Sequence, residues 1–201
     1  FVTDSRINLD LASLLYQSLV TLDGAWMPQE ALAQSITADG TILTVTLREG
    51  ALFSDGTAVT AADVVYSFGK AAKSAPYKAL LAGITACRAE GGGTAVFSLR
   101  SADPHAGARL TFPIVKAPGK KAPAVPVGSG LYIYDAEAGA LVSNPHAEGA
   151  ASRGALQLYH IDNEDMLLHA LASGHISYYF DTVSDGSLPR SVKASLSADM
   201  L

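Results

Sequence analysis

Residues 41–68 read TILTVTLREGALFSDGTAVTAADVVYSF, and the spacing of apolar side chains changes period once within them. From Thr41 to Arg48, Leu43, Val45 and Leu47 alternate with Ile42, Thr44 and Thr46. That two-residue period predicts a strand. Asp39-Gly40 just before it is a hairpin or turn dipeptide, and Asp55-Gly56-Thr57 is a second turn. Thr60 then stands as an N-cap with Asp63 three residues on, a capping box in which Asp replaces Glu. The helix that follows presents Val64, Val65, Phe68 and Ala72.

Upstream, Leu11, Leu14, Leu15, Leu19 and Leu22 recur at helical spacing and predict a helix from about Leu9 to Val20. Asp23-Gly24 supplies a turn, and Gln29 to Gln34 suits a short helix after Pro28. Downstream, Ile84 to Glu90 and Thr94 to Arg100 are two short strands around Gly91-Gly92-Gly93, a hairpin loop that tolerates positive φ. Asp103-Pro104 opens a short helix reaching Leu110. Pro118, Pro123 and Pro126 make Lys116 to Pro126 the clearest internal boundary. Beyond it, Gly130 to Asp135, Ala140 to Asn144 and Ala155 to Ile161 read as strands. A helix from Asn163 to Ser173 follows, capped by Asp162 and ended by Gly174. Ile176 to Phe180 reads as an aromatic strand and Pro189 to Leu196 as a last helix. Strands and helices in no strict βαβ order predict an α+β, mixed α/β, architecture.

The 201 residues are 49% hydrophobic, which is ample for a real core and argues against disorder. Only 16% are charged, against roughly 25% in a typical soluble domain. The net charge of −5, with no dense Lys/Arg cluster, argues against a nucleic-acid partner. Lone Cys87 excludes an internal disulfide and a multi-cysteine zinc site, and reads as a buried structural thiol. No apolar run approaches the ~20 residues of a membrane helix. A chain opening at Phe1, without a Met or a charged n-region, looks processed or trimmed.

Enzyme motifs fail in turn. Val127-Gly128-Ser129-Gly130 approaches a hydrolase elbow, but Val127 stands where that motif needs glycine. Ser129 therefore reads as part of a turn, and a small hydrolase centred on it is the weakest of three readings. The glycine triplet lacks the spacing and helix that a dinucleotide needs. His105, His146, His160, His169 and His175 form no i,i+4 pair, so no metal and no cofactor are expected. Tyr132 and Tyr134 share one strand face, for core packing or for a ligand. Trp26 beside Met27 and Pro28 is an exposed anchor or a hinge plug.

In order along the chain stand Pro28, Leu32-Ala33, Asp39-Gly40, the strand Leu43 to Leu47, Arg48-Glu49-Gly50, Phe53, Asp55-Gly56-Thr57 and the segment Thr60 to Phe68. This series resembles the family 5 extracellular solute-binding proteins, the peptide and nickel receptors of ABC importers. Leu15-Tyr16-Gln17-Ser18-Leu19 is similar to the family's Leu-Tyr-Glu-x-Leu helix, and Val127 to Tyr132 to its Gly-Thr-Gly-Pro-Tyr loop, with Leu131 in place of proline. Asn144-Pro145-His146 followed by Gly149 resembles Asn-Pro-x-Tyr-Trp-Gly, with Ala147 and Glu148 replacing the aromatics. Ala170 to Ile176 is similar to its Leu-x-Ser-Gly-Glu-Ile-Asp.

The resemblance implies a periplasmic-binding-protein-like first lobe with an inserted subdomain and without the second lobe. Residues 1–27 and 125–201 would be first-lobe segments, and 28–124 the subdomain. It implies ligand binding by hinge closure and delivery to a membrane permease. The ligand would be an oligopeptide or dipeptide, held through sequence-tolerant backbone hydrogen bonds. The protein would be an extracytoplasmic monomer, periplasmic or lipid-anchored. The stretch before the first helix, Asp4, Ser5, Arg6, Ile7 and Asn8, would line the cleft. There Arg6 would meet a carboxylate and Asp4 an amine, unless these residues are a frayed terminus. Gly128 and Ser129 would add backbone N–H groups. The alternatives are a receptor for a nickel chelate or a sugar, and a solute-sensing module of a regulator.

Overall fold

A computed structural model describes residues 6–119, 127–147, 154–159, 161 and 163–177. In chain order its elements are α1 (Arg6–Leu15), β1 (Val20–Leu22), β2 (Pro28–Glu30), β3 (Ala33–Asp39), β4 (Ile42–Leu47), α2 (Ala61–Ala71), α3 (Ala75–Lys78), β5 (Ile84–Glu90), β6 (Thr94–Leu99), a 3₁₀ turn (Ala106–Arg109), β7 (Tyr132–Asp135), β8 (Ala140–Ser143), β9 (Leu156–Gln157) and α4 (Glu164–Ala172). The architecture is mixed α/β, as the sequence predicts. Two compact units divide the chain, Phe1–Gln157 and Leu158–Leu201.

The main sheet of the first unit is antiparallel with strand order β3-β4-β6-β5. The β4 alternation sends Leu43, Val45 and Leu47 into the core. Its register sets Leu43 opposite Phe97 and Val45 opposite Ala95, so both strands contribute to one apolar face. Gly40 (φ 56°) closes the β3–β4 hairpin and Gly91 (φ 68°) the β5–β6 hairpin, positions where a side chain would strain the backbone.

Helix α2 lies on that sheet. The Phe68 ring meets Phe97 edge to face, with centroids 5.7 Å apart at 82°, and Phe112 at 6.2 Å. Val64 and Ala71, one turn either side, are buried with it, which is the stripe a 3.6-residue period produces. Leu19 and Val20 join the same core, with Leu32, Phe53, Leu110 and Ile114. A second sheet, β7-β8-β9, is antiparallel throughout.

Several expectations are corrected. Residues 29–34 are β2 and the start of β3, not a helix. The backbone N–H groups of Ala31 and Ala33 donate to the Leu19 carbonyl, which pulls the segment into an extended pairing. The first helix spans Arg6–Leu15 rather than 9–20. It stops because the Ile114 N–H donates to Gln17 O and Ser18 bridges Pro113, so residues 17–20 run extended. The helix expected from Asp103 is one 3₁₀ turn, and the strand expected over 155–161 is limited to β9.

In the second unit α4 is capped by Asn163, whose Oδ1 accepts the N–H groups of Asp165 (2.8 Å) and Met166 (3.3 Å). Asn163 thus performs the role expected of Asp162, which lies outside the described residues. Gly174 (φ 74°) ends the helix as expected. Ile176 and Ser177 are not in a strand; residues 178–180 and the helix expected at 189–196 lie outside the described residues.

Candidate functional site

The motif residues that stand far apart in sequence meet in one joint. At its centre is the segment Gly128-Ser129-Gly130, pressed against the carboxyl end of α1. A Cβ at Gly128 would fall inside 3.0 Å of the Leu15 carbonyl and of the Tyr16 ring, and one at Gly130 inside 3.0 Å of the Leu14 and Leu15 backbone. Only glycine permits this approach. The Gly130 N–H donates to Leu15 O at 2.9 Å, satisfying a carbonyl at the helix end. On its other side the Gly128 carbonyl accepts the Ser54 N–H at 2.8 Å, tying the segment to the Asp55-Gly56-Thr57 turn.

Asn144 locks the same joint. It is fully buried, and its Nδ2 donates to Gly130 O at 2.8 Å while its Oδ1 accepts the His146 N–H at 3.0 Å. Its own N–H donates to Leu131 O. The His146 ring lies against Gly56, with Nε2 3.6 Å from the position a Cβ would take there.

A second set of bonds fixes where the chain leaves the α2 layer. Asp63 Oδ2 accepts both the N–H and the hydroxyl of Thr60, at 2.8 and 2.7 Å, closing the expected capping box. Asp63 Oδ1 accepts the Ala117 N–H at 2.8 Å. One turn on, the buried Ser67 hydroxyl donates to Val115 O at 3.1 Å and accepts the Val115 N–H at 2.9 Å. Between them Lys116 Nζ pairs with Asp55 Oδ2. That ammonium, with the Thr57 hydroxyl, lowers the Asp55 carboxyl to about 2. Residues 115–117 therefore lie in a clasp of Asp55, Asp63 and Ser67. The capping signal at Asp63 was legible; its second bond and the role of Ser67 were not, because their partner is 48–54 residues away.

Of the predicted ligand residues, Asp4 and Ser5 lie outside the described residues. Arg6, Ile7 and Asn8 form the first turn of α1 rather than a stretch before it. Gly128 and Ser129 are buried at the opposite end of that helix. At 1.5 Å per residue, Asn8 and Leu14 are about 9 Å apart along the axis, so the two halves of the predicted site do not converge at one point. Ser129 Oγ is buried and makes no hydrogen bond among the described residues. A serine nucleophile needs a base beside it, and none is bonded to this one.

Other candidates resolve similarly. Cys87 is half-buried on β5 opposite Phe97, and burial pushes its thiol up to about 12. Trp26 is 78% exposed at the β1–β2 hairpin tip with φ 62°. The tip is organised by Asp23 Oδ1, which accepts the N–H groups of Ala25 and Met27. Tyr132 and Tyr134 are both half-buried. Among the described residues no group of His, Cys, Asp and Glu is placed to hold a metal, and no helix is long and apolar enough to cross a membrane.

Among solved structures, the chain is similar to MoaA of A. tumefaciens R10 in complex with mannopinic acid: 24% identity over 87% of this chain and 40% of that one, TM-score 0.74. It is also similar to the oligopeptide-binding protein AppA of Bacillus subtilis in complex with a nonapeptide, at 20% identity over 87% and 39%, TM-score 0.68. A third is NikZ of Campylobacter jejuni in complex with Ni(L-His), at 19% identity over 82% and 37%, TM-score 0.66. The fold is thus that of the periplasmic-binding-protein class, and the chain spans about two-fifths of the length of these proteins. The family model described as bacterial extracellular solute-binding proteins, family 5, middle, matches residues 27–193. By that match the chain belongs to the family 5 bacterial extracellular solute-binding proteins.

Proposed function

We propose that this chain is part of the substrate-binding component of an ABC importer, which takes an oligopeptide or dipeptide into an interlobe cleft and passes it to a membrane permease. The reading rests on one observation, the family match over residues 27–193. The likeness to AppA, solved with a nonapeptide, supports the peptide class. The component acts by binding, without catalysis or cofactor, as an extracytoplasmic monomer held in the periplasm or by a lipid anchor.

In this reading residues 1–27 and 125–201 are first-lobe segments and 28–124 the inserted subdomain, with Leu19 and Val20 reaching into the subdomain core. The clasp at residues 115–117 sets the direction in which the chain returns to the lobe. The ligand residues in this reading are Asp4, Ser5, Arg6, Ile7 and Asn8, with Arg6 taking a carboxylate and Asp4 an amine. Gly128 and Ser129 hold the carboxyl end of α1 and border the cleft there. A second reading, a receptor for a nickel chelate or a sugar, draws support from the likeness to NikZ with Ni(L-His).

The test is a thermal-shift panel on the complete natural protein that contains this chain. A ligand at a hundred times its Kd stabilises the bound fold by about 2.7 kcal/mol. Mixed di- to pentapeptides should raise the midpoint and nickel-histidine should not. No rise with any peptide retires the peptide assignment, and a rise with nickel-histidine alone replaces it.

A further inference from the structure

The charges on this chain are unevenly placed. Residues 64–89 contain Lys70, Lys73, Lys78 and Arg88 and no Asp or Glu, while all nineteen acids lie elsewhere. Three of those cations share one corner, where α2 turns into α3. The turn is fixed from inside: Ala71, Ser74 and Leu81 are buried, and the Ser74 hydroxyl donates to Ala71 O at 2.8 Å. That geometry leaves Lys70, Lys73 and Lys78 exposed on the outer side, with Leu80, 39% exposed, beside them.

Among the described residues no acid is paired with Lys70, Lys73 or Lys78. Arg88 is, among the described residues, the one cation of the segment with an acidic partner, Glu90 on its own strand. Asp103 is held by Arg109 at 2.6 Å, and the Arg109 guanidinium lies against Gly83. Arg100 adds a further cation there, its N–H donating to Gly83 O at 2.9 Å. Lys70 Nζ sits 5.5 Å from the Tyr66 ring centroid, which leaves its charge intact.

We propose that this corner docks on an anionic bilayer surface, orienting the protein on the membrane. The cations are mainly lysines, compact point charges on flexible stems, which suit a fluid plane of phosphates better than a fixed carboxylate pocket. They are exposed at the turn from α2 into α3. Leu80 and the Tyr66 ring give the apolar and aromatic groups that settle at a headgroup boundary. Because the acids lie outside residues 64–89, a negative surface attracts this face and repels the remainder, so the attraction selects an orientation. The inference is independent of which solute the protein binds.

The experiment is co-sedimentation of the folded chain with vesicles of phosphatidylcholine alone and of phosphatidylcholine mixed with phosphatidylglycerol, at low and high ionic strength. Binding should require phosphatidylglycerol and fall as salt rises. Each Lys→Gln change should weaken it roughly fivefold, and the triple change at Lys70, Lys73 and Lys78 roughly a hundredfold. A control change of equal charge on a described, exposed residue, Arg48→Gln, should weaken binding far less than any one of the three lysine changes. Acetylation footprinting of the unaltered protein gives a readout free of any folding effect: anionic vesicles should shield Lys70, Lys73 and Lys78 and leave the reactivity of Lys116 unchanged. No binding to anionic vesicles at low salt, equal loss in the Arg48→Gln control, or no shielding overturns the proposal. Binding to soluble polyglutamate with none to vesicles also overturns it, and assigns the corner to an acidic polypeptide.

Discussion

Asp63 accepts the backbone N–H of Ala117 across 54 residues at 2.8 Å, while its other carboxylate oxygen accepts the N–H of Thr60, the N-cap of the helix in whose first turn Asp63 stands. One buried side chain thus joins a local start signal to a long-range tether. Removing it leaves the Thr60 and Ala117 N–H groups without an acceptor, each costing about 1–3 kcal/mol where burial excludes water. Asp63→Ala should therefore destabilise the chain by about 3 kcal/mol, measured by urea unfolding. Asp63→Asn keeps one acceptor and should lose less.

The Asp55–Lys116 pair ties the same tether from the solvent side. With a folded-state value of about 2 against an ordinary 3.8, Asp55 binds its proton more weakly in the native state than in the unfolded one. Its contribution is therefore fully present above pH ~4 and is lost as pH falls toward 2. The thermal midpoint of the parent should drop through that window more steeply than that of Asp55→Asn. Both residues are about one-third exposed, so salt should diminish the difference.

Gly128 is fixed by sterics alone. Gly128→Ala drives a methyl group into the Leu15 carbonyl and the Tyr16 ring, and the helix end must move. A loss of about 3 kcal/mol is expected, whereas Gly69→Ala in the interior of α2, where a Cβ meets nothing within 4 Å, should stabilise by about 0.5–1 kcal/mol. Paired denaturant titrations check both.

Cys87 should be inert in the native state, since a thiol pushed to about 12 holds almost no thiolate near neutrality. Iodoacetamide at mildly alkaline pH should leave it unmodified until denaturant is added. Trp26, the sole tryptophan, should fluoresce like indole in water and be readily quenched by iodide.

Much of this fold was legible where a local signal agreed with the tertiary outcome. The β4 alternation, the Thr60–Asp63 box and the glycine triplet each specify a conformation within a few residues. The errors fall where distant backbone intervenes. Leu19 continues the helical spacing of Leu11, Leu14 and Leu15, yet residues 17 and 18 pair with 113 and 114 instead. Ala31 and Ala33 are drawn into an extended strand by Leu19 O, which no propensity at positions 29–34 foretells. Asn144 was visible only as a motif letter; its burial and its bond to Gly130 depend on a contact fourteen residues away. The positive φ of Trp26 has no sequence signal. The ligand residues were placed by resemblance, and the separation of Arg6–Asn8 from Gly128 along α1 emerged only in three dimensions.

The central claim, that this family 5 chain serves a peptide receptor, is tested most directly by titration calorimetry. Mixed di- to pentapeptides are added to the complete natural protein, to its Arg6→Ala variant and to this 201-residue chain alone. The account predicts saturable heat for the complete protein, at least tenfold weaker binding for the variant through loss of a charge-assisted bond to the ligand carboxylate, and weaker binding still for the chain alone. Absence of heat from the complete protein with every peptide would contradict it.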